Sequence, residues 1–246
     1  MNKVYLLGAG PGDPDLLTVK AQRILREADV VLYDRLVSAE VLSVASPEAE
    51  LIYVGKHEGE QESTQKLILD LMVDHARRGR RVARLKGGDG CVFGRAGEEW
   101  LALARAGIDV EVVPGVSSAL AAPTLAGIPL TFRNVSRGFA VVTGHCAGRT
   151  PVDWRDWARI DTLVILMGVK NRAVIASALI DAGRRSDEPA AFVERASTAG
   201  QRVVETTRGE VARGAVEVEA PAVFVIGAVA ALRADLAACV MEEVAL

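Results

Sequence analysis

The 246-residue chain contains few of the side chains from which disulfide and metal sites are built. Its three cysteines, Cys91, Cys146 and Cys239, are far apart and form no CxxC pair. An odd number of cysteines without a pairing pattern is typical of a reducing compartment. The three histidines do not cluster with the cysteines at metal-ligand spacing, so the sequence predicts no metal site.

A large charge of one sign and a long apolar run are also missing. The formal net charge of −3 gives no support for a nucleic-acid binder. The longest apolar stretch, 220–232, falls short of the ~20 residues that cross a bilayer, and the segment before Val4 lacks a signal-peptide pattern. We therefore expect a cytoplasmic protein. Half of its residues are hydrophobic, which is enough for one large or two small domains.

Short β-branched runs alternate with helical patterns, and this alternation predicts an α/β protein with mainly parallel sheets. The segment 127–133 favours neither helix nor strand. It predicts a linker between an N-terminal α/β domain at 1–126 and a C-terminal α/β domain at 127–246. The predicted strands are 4–7, 30–33, 51–54, 81–85, 110–113, 140–143, 163–167, 190–193 and 223–227.

A glycine-rich turn, Gly8-Ala9-Gly10-Pro11-Gly12, follows the first predicted strand. Together with Asp34, about 20 residues later, it resembles a dinucleotide-binding turn. We reject that interpretation because Asp13 stands where the third glycine is needed and Pro11 interrupts the turn. The simpler alternative is a tight turn into a helix, with Asp13 as its N-cap and Pro14 at its first position.

A second glycine-rich segment follows the fourth predicted strand, with five glycines in the eleven positions 87–97. Such glycines let the backbone approach a ligand closely. The Lys-Ser/Thr pair of a P-loop is missing, which argues against a triphosphate site. A mobile connection is the alternative, but the regular spacing of Asp89, Arg95 and Glu98 favours a binding loop.

Charged residues follow the second and third predicted strands. Asp34 and Arg35 come after the second, and Lys56 comes after the third. In open parallel sheets, the carboxyl ends of the strands face the ligand crevice. A surface ion pair between Asp34 and Arg35 is the commoner arrangement, yet three acid or base candidates at such ends indicate a catalytic site. Burial and Arg35 would act on the charge state of Asp34 in opposite directions, and the sequence leaves open which dominates.

An ordered series of motifs covers the chain from about Val4 to Leu236, and it resembles that of the tetrapyrrole methylases. Within that family, it is similar to the series of the uroporphyrinogen-III C-methyltransferases. No single motif decides this, but the ordered set is highly specific. The motifs are GAGPGDPDLLT, YDRLVS, YVGK, LKGGD, VFGRAGEE, VVPGVSSALAAP, GIPLT, TGH, LMG and QRVV.

The resemblance implies two α/β domains with S-adenosylmethionine held in the cleft between them, in a homodimer. It also implies an activity: the transfer of methyl groups to C-2 and C-7 of uroporphyrinogen III, through precorrin-1 to precorrin-2. The electron-rich pyrroles of that substrate supply the nucleophile, so the protein has to align the reactants and remove the proton lost after methylation.

Site residues follow from the resemblance position by position. Asp34 stands where the family has its proposed proton acceptor, and Lys56 where it has its proposed proton donor. Arg95 and Glu98 match positions linked to substrate binding or proton removal, and Arg35, Arg95 and Arg133 are expected to bind substrate carboxylates through guanidinium forks. The expected cofactor contacts are Pro11, Gly87, Gly88, Asp89, Val92, Ser117, Ser118, Met167 and Ala196.

The chain departs from the family pattern at several positions near the expected ligands. The usual proline and aromatic residue of the GGDP motif are Gly90 and Cys91 here, and the other departures are Gln61, Leu69, Phe132 and Ala196. Three functions stay open: a uroporphyrinogen-III methyltransferase, a methyltransferase for a later precorrin or related tetrapyrrole, and a non-catalytic tetrapyrrole-binding protein. The joint presence of the four catalytic candidates argues against the third.

Overall fold

A computed structural model describes residues 3–55, 61–145 and 152–237. The chain forms two compact units, Met1–Ser118 and Ala119–Leu246. Each unit contains a five-stranded sheet that packs against helices, which confirms the α/β class. The division lies upstream of the predicted linker because Ala119 and Ala122 of the helix before that linker pack into the second core.

The first unit has one parallel sheet, as predicted. Its helices are α1 (Val19–Arg26), α2 (Ala39–Leu42), α3 (Gln61–Arg77) and α4 (Ala96–Arg105). Its strands are β1 (Lys3–Gly8), β2 (Val30–Tyr33), β3 (Glu50–Tyr53), β4 (Val82–Lys86) and β5 (Asp109–Val113). They lie in the order β3-β2-β4-β1-β5, and every neighbouring pair is parallel.

The central strands β1, β2 and β4 are largely buried on both faces, and the short strand β2 accordingly is a continuous apolar run. Successive side chains of a strand point to opposite faces. Leu6 accordingly packs with Met72 of α3 and Leu103 of α4, whereas Leu7 packs with Leu25 of α1. Because all five strands run in one direction, the loops that follow them leave from one edge of the sheet.

The segment after β1 starts as the sequence predicts and then departs from a single helix. The carboxylate of Asp13 accepts a hydrogen bond from the amide of Asp15 at 2.9 Å and caps one 3-10 turn, Pro14–Leu16. The next two residues are extended, and Thr18 caps α1 by accepting from the amide of Ala21 at 3.2 Å.

The second unit combines a mixed sheet with the helices α5 (Ser118–Leu125), α6 (Arg172–Asp181) and α7 (Arg208–Ala212), and residues 232–237, at the end of the described part, are also helical. Helix α6 packs on one face of the sheet and α5 on the other. The strands are β6 (Phe139–Thr143), β7 (Thr162–Leu166), β8 (Pro189–Glu194), β9 (Arg202–Thr207) and β10 (Ala222–Ile226). Their order is β6-β7-β10-β8-β9.

Strand pairing in this second sheet differs from the mainly parallel pairing that the alternation of elements predicts. Only β6 and β7 pair in parallel, and the other three pairs are antiparallel. The segment 195–201 between β8 and β9 is too short for a parallel crossover and makes a hairpin instead. Strand β9 itself is absent from the predicted set.

Candidate active site

Three glycine-rich loops of the first unit meet at the carboxyl edge of its sheet. Gly10, after β1, and Gly88, after β4, exchange two backbone hydrogen bonds of 2.8 and 3.1 Å. A Cβ on Gly8 would lie 2.4 Å from the amide nitrogen of Gly115, after β5. The loops therefore touch backbone to backbone, a distance that only glycine permits.

Asp89 ties two of these loops together. Its Oδ2 accepts a hydrogen bond from the amide of Gly115 at 3.0 Å, and its Oδ1 accepts one from the amide of Cys91 at 2.8 Å. The neighbouring Gly88 has a φ of 66° and faces the backbone of Ser117 and Ser118. Residues predicted to contact the cofactor from two separate motifs are thus brought together.

The loop after β2 joins the same edge. The hydroxyl of Ser38 donates to the carbonyl of Gly12 at 2.6 Å, which links this loop to the bend that contains Pro11. A Cβ on Gly87 would lie 2.8 Å from the Cβ of Leu36, so the loop after β4 also passes close by. The loops after β1, β2, β4 and β5 are therefore linked by direct contacts at one edge of the sheet.

Asp34 lies at the start of the β2 loop with its carboxylate partly exposed, at 29%. Its Oδ1 accepts from the amide of Leu36 at 3.1 Å, and its Oδ2 lies 3.6 Å from Nη2 of Arg84. Arg35, its neighbour in sequence, is exposed and forms no ion pair with another described residue. The cation that faces Asp34 is thus Arg84 rather than Arg35.

A buried charged cluster, Arg84, Lys86 and Glu99, lies beside Asp34 and was not identified from the sequence. Oε1 of Glu99 is 2.9 Å from Nζ of Lys86 and 3.5 Å from Nε of Arg84. Burial lowers the pKa of Lys86, and the charge of Arg84 lowers it further, against the opposing effect of Glu99. In the sequence, the signal for this cluster is a pair of basic residues, Arg84 and Lys86, at alternate positions of a strand that is otherwise apolar.

Arg95 and Glu98, both predicted catalytic residues, form a bidentate pair at the start of α4. Nε and Nη2 of Arg95 lie 2.6–3.1 Å from the Glu98 carboxylate oxygens. Arg95 has a φ of 62° and a partly exposed side chain, and the side chain of Glu98 is largely exposed. Val92, earlier in the same loop, is also exposed. Lys56 lies outside the described residues, so its predicted role is untouched by the structure.

The departures at Gly90 and Cys91 lie in this loop. A Cβ on Gly90 would lie 3.1 Å from both Cδ of Lys86 and Cβ of Ala96, so Gly90 covers the buried lysine side chain. The thiol of Cys91 is exposed and free. Among the described residues, no group of three or more His, Cys, Asp and Glu side chains could hold a metal ion.

In the second unit, Met167 and Ala196 follow β7 and β8. Both strands are antiparallel to β10 and so run in the same direction, which places the two residues at one edge of the sheet. Met167 is half-exposed with a φ of 56°, and Ala196 is buried. Arg133 lies in the exposed turn closed by the hydrogen bond from the Ser136 amide to the Phe132 carbonyl.

The chain belongs to the tetrapyrrole methylases. Residues 3–212 match the family described as Tetrapyrrole (Corrin/Porphyrin) Methylases. Among its relatives, the uroporphyrinogen-III C-methyltransferase of Pseudomonas aeruginosa is 48% identical over 92% of this chain and 94% of its own length. The enzyme of the same name from Methanocaldococcus jannaschii is 46% identical over 92% of this chain and 96% of its own.

A solved structure has the same fold as this chain. The uroporphyrin-III C-methyltransferase of Thermus thermophilus, crystallised with S-adenosylhomocysteine, superimposes with a TM-score of 0.82. It is 52% identical in sequence, and the match covers 92% of each chain. No helix among residues 3–55, 61–145 and 152–237 is long and apolar enough to span a membrane.

Proposed function

We propose that this chain transfers methyl groups from S-adenosylmethionine to C-2 and C-7 of uroporphyrinogen III, giving precorrin-1 and then precorrin-2. The observation that carries this proposal is the closure of the loops around Gly10, Gly88 and Gly115, with the carboxylate of Asp34 at the same sheet edge. Similar relatives bear the name of this activity, and one of them was crystallised with the demethylated cofactor.

The charges at the loops fit this methyl donor. A carboxylate, Asp89, joins two of the glycine loops, and the P-loop lysine is missing. A carboxylate would repel a pyrophosphate but favours a sulfonium and an amino group. The backbone of Gly87 and Gly88 and the hydroxyls of Ser117 and Ser118 would hold the nucleoside and amino-acid parts. Pro11, Val92, Met167 and Ala196 complete the proposed set of cofactor contacts.

The bound cofactor supplies a methyl group on positively charged sulfur, and the pyrrole carbon of the substrate takes it as the carbon–sulfur bond breaks. The electron pair of that bond stays on sulfur. The protein contributes alignment, which is worth up to about 7–11 kcal/mol when the reacting atoms are fully oriented.

Proton removal falls to the charged residues at the sheet edge. Asp34 accepts the proton that leaves after methylation, because its carboxylate is held by Leu36 and Arg84 yet remains accessible. Lys56, which stands where the family has its proposed proton donor, is the proposed donor here. Arg95 and Glu98 act as a pair in substrate binding or proton removal.

Substrate recognition follows from charge. Uroporphyrinogen III carries eight carboxylates, and guanidinium groups bind carboxylates in a planar two-pronged geometry. Arg35 and Arg133 are exposed, and Arg95 is partly exposed. The three arginines are the proposed carboxylate contacts. The enzyme acts in the cytoplasm as a homodimer. Sedimentation of the purified protein would test the dimer.

The decisive assay combines purified protein, methyl-labelled S-adenosylmethionine and uroporphyrinogen III without oxygen. The expected result is two labelled methyl groups per macrocycle and a dipyrrocorphin chromophore. Transfer only to a later precorrin would replace this function by the second one. Tight tetrapyrrole binding without transfer would contradict any methyltransferase activity. Asp34→Asn should lower turnover strongly, to a residual rate that can still be measured, while it keeps its affinity for S-adenosylhomocysteine.

A further inference from the structure

Glu99 is the most connected member of the buried charged cluster. It lies in the first turn of α4 with only 2% of its surface exposed. Its Oε1 contacts Lys86 and Arg84 of β4 and accepts a hydrogen bond from Nε2 of Gln65 of α3 at 3.0 Å. One carboxylate oxygen therefore joins three side chains from two other elements.

Arg84 connects this carboxylate to the proposed proton acceptor. Its Nε faces Glu99 at 3.5 Å and its Nη2 faces Asp34 at 3.6 Å, so the guanidinium lies between the two acids. Its Nη1 donates to the carbonyl of Leu85 at 3.0 Å. Without Glu99, the buried cations Arg84 and Lys86 would repel each other. Arg84 would then move away from Lys86, and the contact with Asp34 would change.

Anchoring α4 does not require this cluster. Ala96 and Leu103 of the same helix already pack in the apolar core. Buried ion pairs rarely stabilise a fold better than apolar side chains of similar size, and they are retained in some proteins because they fix geometry. The arrangement of charges around Glu99 thus points to a geometric role close to Asp34.

We propose that Glu99 is a positioning residue for methyl transfer: it fixes Arg84, and Arg84 fixes the carboxylate of Asp34 at the carboxyl edge of the sheet. This inference rests on the proposed function and adds a residue that does not itself touch substrate.

The test is a double-mutant cycle of Glu99→Gln with Asp34→Asn in the full-length protein. We expect Glu99→Gln to lower kcat by about tenfold to 100-fold, as a displaced catalytic group does. The Kd for S-adenosylhomocysteine should stay unchanged. In the Asp34→Asn background, Glu99→Gln should cause no further loss, because its effect passes through Asp34.

Two further variants keep the outcome unambiguous. Glu27→Gln removes an exposed glutamate that pairs with Arg81 at 2.7 Å, and it should leave kcat unchanged. Glu99→Asp keeps the charge and should have a kcat between those of Glu99→Gln and the wild type. If Glu99→Gln does not fold, Glu99→Asp replaces it in the double-mutant cycle.

Three outcomes would overturn the inference: a fully active Glu99→Gln, losses that multiply in the double mutant, or a folded Glu99→Gln that loses cofactor affinity and kcat together. A wild-type protein without methyl transfer would instead contradict the proposed function. Full activity of Asp34→Asn would remove Asp34 as proton acceptor, and the role of Glu99 with it.

Discussion

Gly115 leaves no room for a side chain against Gly88. A Cβ on Gly115 would lie 2.3 Å from the carbonyl oxygen of Gly88 and 2.7 Å from Cα of Gly8. All of these atoms belong to the backbone, so no flexible side chain can move aside. The contact between the loops after β1, β4 and β5 therefore depends on this glycine.

Gly115→Ala should separate these loops. We expect it to lower the free energy of unfolding by about 1–3 kcal/mol, as overpacking does in other cores, and to weaken S-adenosylhomocysteine binding. Urea unfolding and calorimetric titration would measure both effects. Gly97→Ala in α4 is the control, because its Cβ would meet no atom within 4 Å and alanine is favoured in helices. An equal loss in both variants would contradict the steric explanation.

Asp89→Asn should weaken the link between the loops after β4 and β5. The variant loses the charge and one of the two acceptors that bind Gly115 and Cys91. Hydrogen bonds to charged groups contribute about 1.5–3 kcal/mol each, so unfolding free energy should fall by that amount, together with cofactor affinity. Asp153→Asn is the control, because Asp153 is an exposed carboxylate that caps a 3-10 turn. It should lower the free energy of unfolding by less than Asp89→Asn does and leave cofactor affinity unchanged. Unchanged cofactor affinity in Asp89→Asn would be the contrary result.

In the second unit, Arg184 and Arg208 share the carboxylate of Glu188. Arg208 is fully buried, and among the described residues its Nε and Nη2 have no hydrogen-bond partner. Burial, reinforced by the charge of Arg184, lowers the pKa of Arg208 to about 10. Arg208 thus competes for a carboxylate that Arg184 already binds.

We predict that Arg208→Met leaves the unfolding free energy nearly unchanged, since Glu188 keeps Arg184. Glu188→Gln should cost about 3–5 kcal/mol because it leaves buried positive charge without its partner. Thermal unfolding of the two variants would compare them. A greater loss of unfolding free energy in Arg208→Met than in Glu188→Gln would contradict this, because Arg208 would then contribute more to stability than Glu188.

Glu111 of β5 gives a pH-dependent prediction. Hydrogen bonds from Lys20 and then Lys3 hold the pKa of its carboxyl at about 2, below the ordinary 4.5. A lowered carboxyl pKa stabilises the folded state above about pH 4.5, and the gain disappears as pH falls towards about 2. Glu111→Gln should thus lower the free energy of unfolding by at most about 1 kcal/mol at pH 7, since the ion pairs of Glu111 with Lys20 and Lys3 are near the surface.

Urea unfolding between pH 7 and pH 3 would follow this difference, which should shrink as the pH falls. Glu48→Gln is the control, because Glu48 is exposed and its carboxylate forms no ion pair with another described residue. A difference between Glu111→Gln and wild type that is independent of pH would refute the electrostatic explanation.

Much of the fold could be predicted because the signals are local. Buried strands such as Val30–Tyr33 read as apolar runs, and Asp13 is a correct helix-cap prediction. The antiparallel position of β10 between β7 and β8 depends on contacts between distant segments, which no local pattern encodes. Strand β9 is partly exposed, so its alternation is weak.

The site shows the same limit. Asp34 could be predicted from the sequence because it directly follows a strand, whereas its charged partner could not. The sequence suggested Arg35, the adjacent residue, but the pairing of β2 with β4 places Arg84 beside Leu32, and from there its guanidinium comes within 3.6 Å of the Asp34 carboxylate. Glu99 reaches the cluster only because α4 packs against that face of the sheet. Register and packing decided these contacts, and neither is a property of a short segment.

A crystal structure of the chain with S-adenosylhomocysteine tests the central claim most directly. The nucleoside and amino-acid groups should contact the backbone of Gly87 and Gly88 and the serines at 117 and 118, with Asp34 open to the sulfur side. Binding of the ligand at another edge of either sheet, with Asp34 remote from sulfur, would contradict the account.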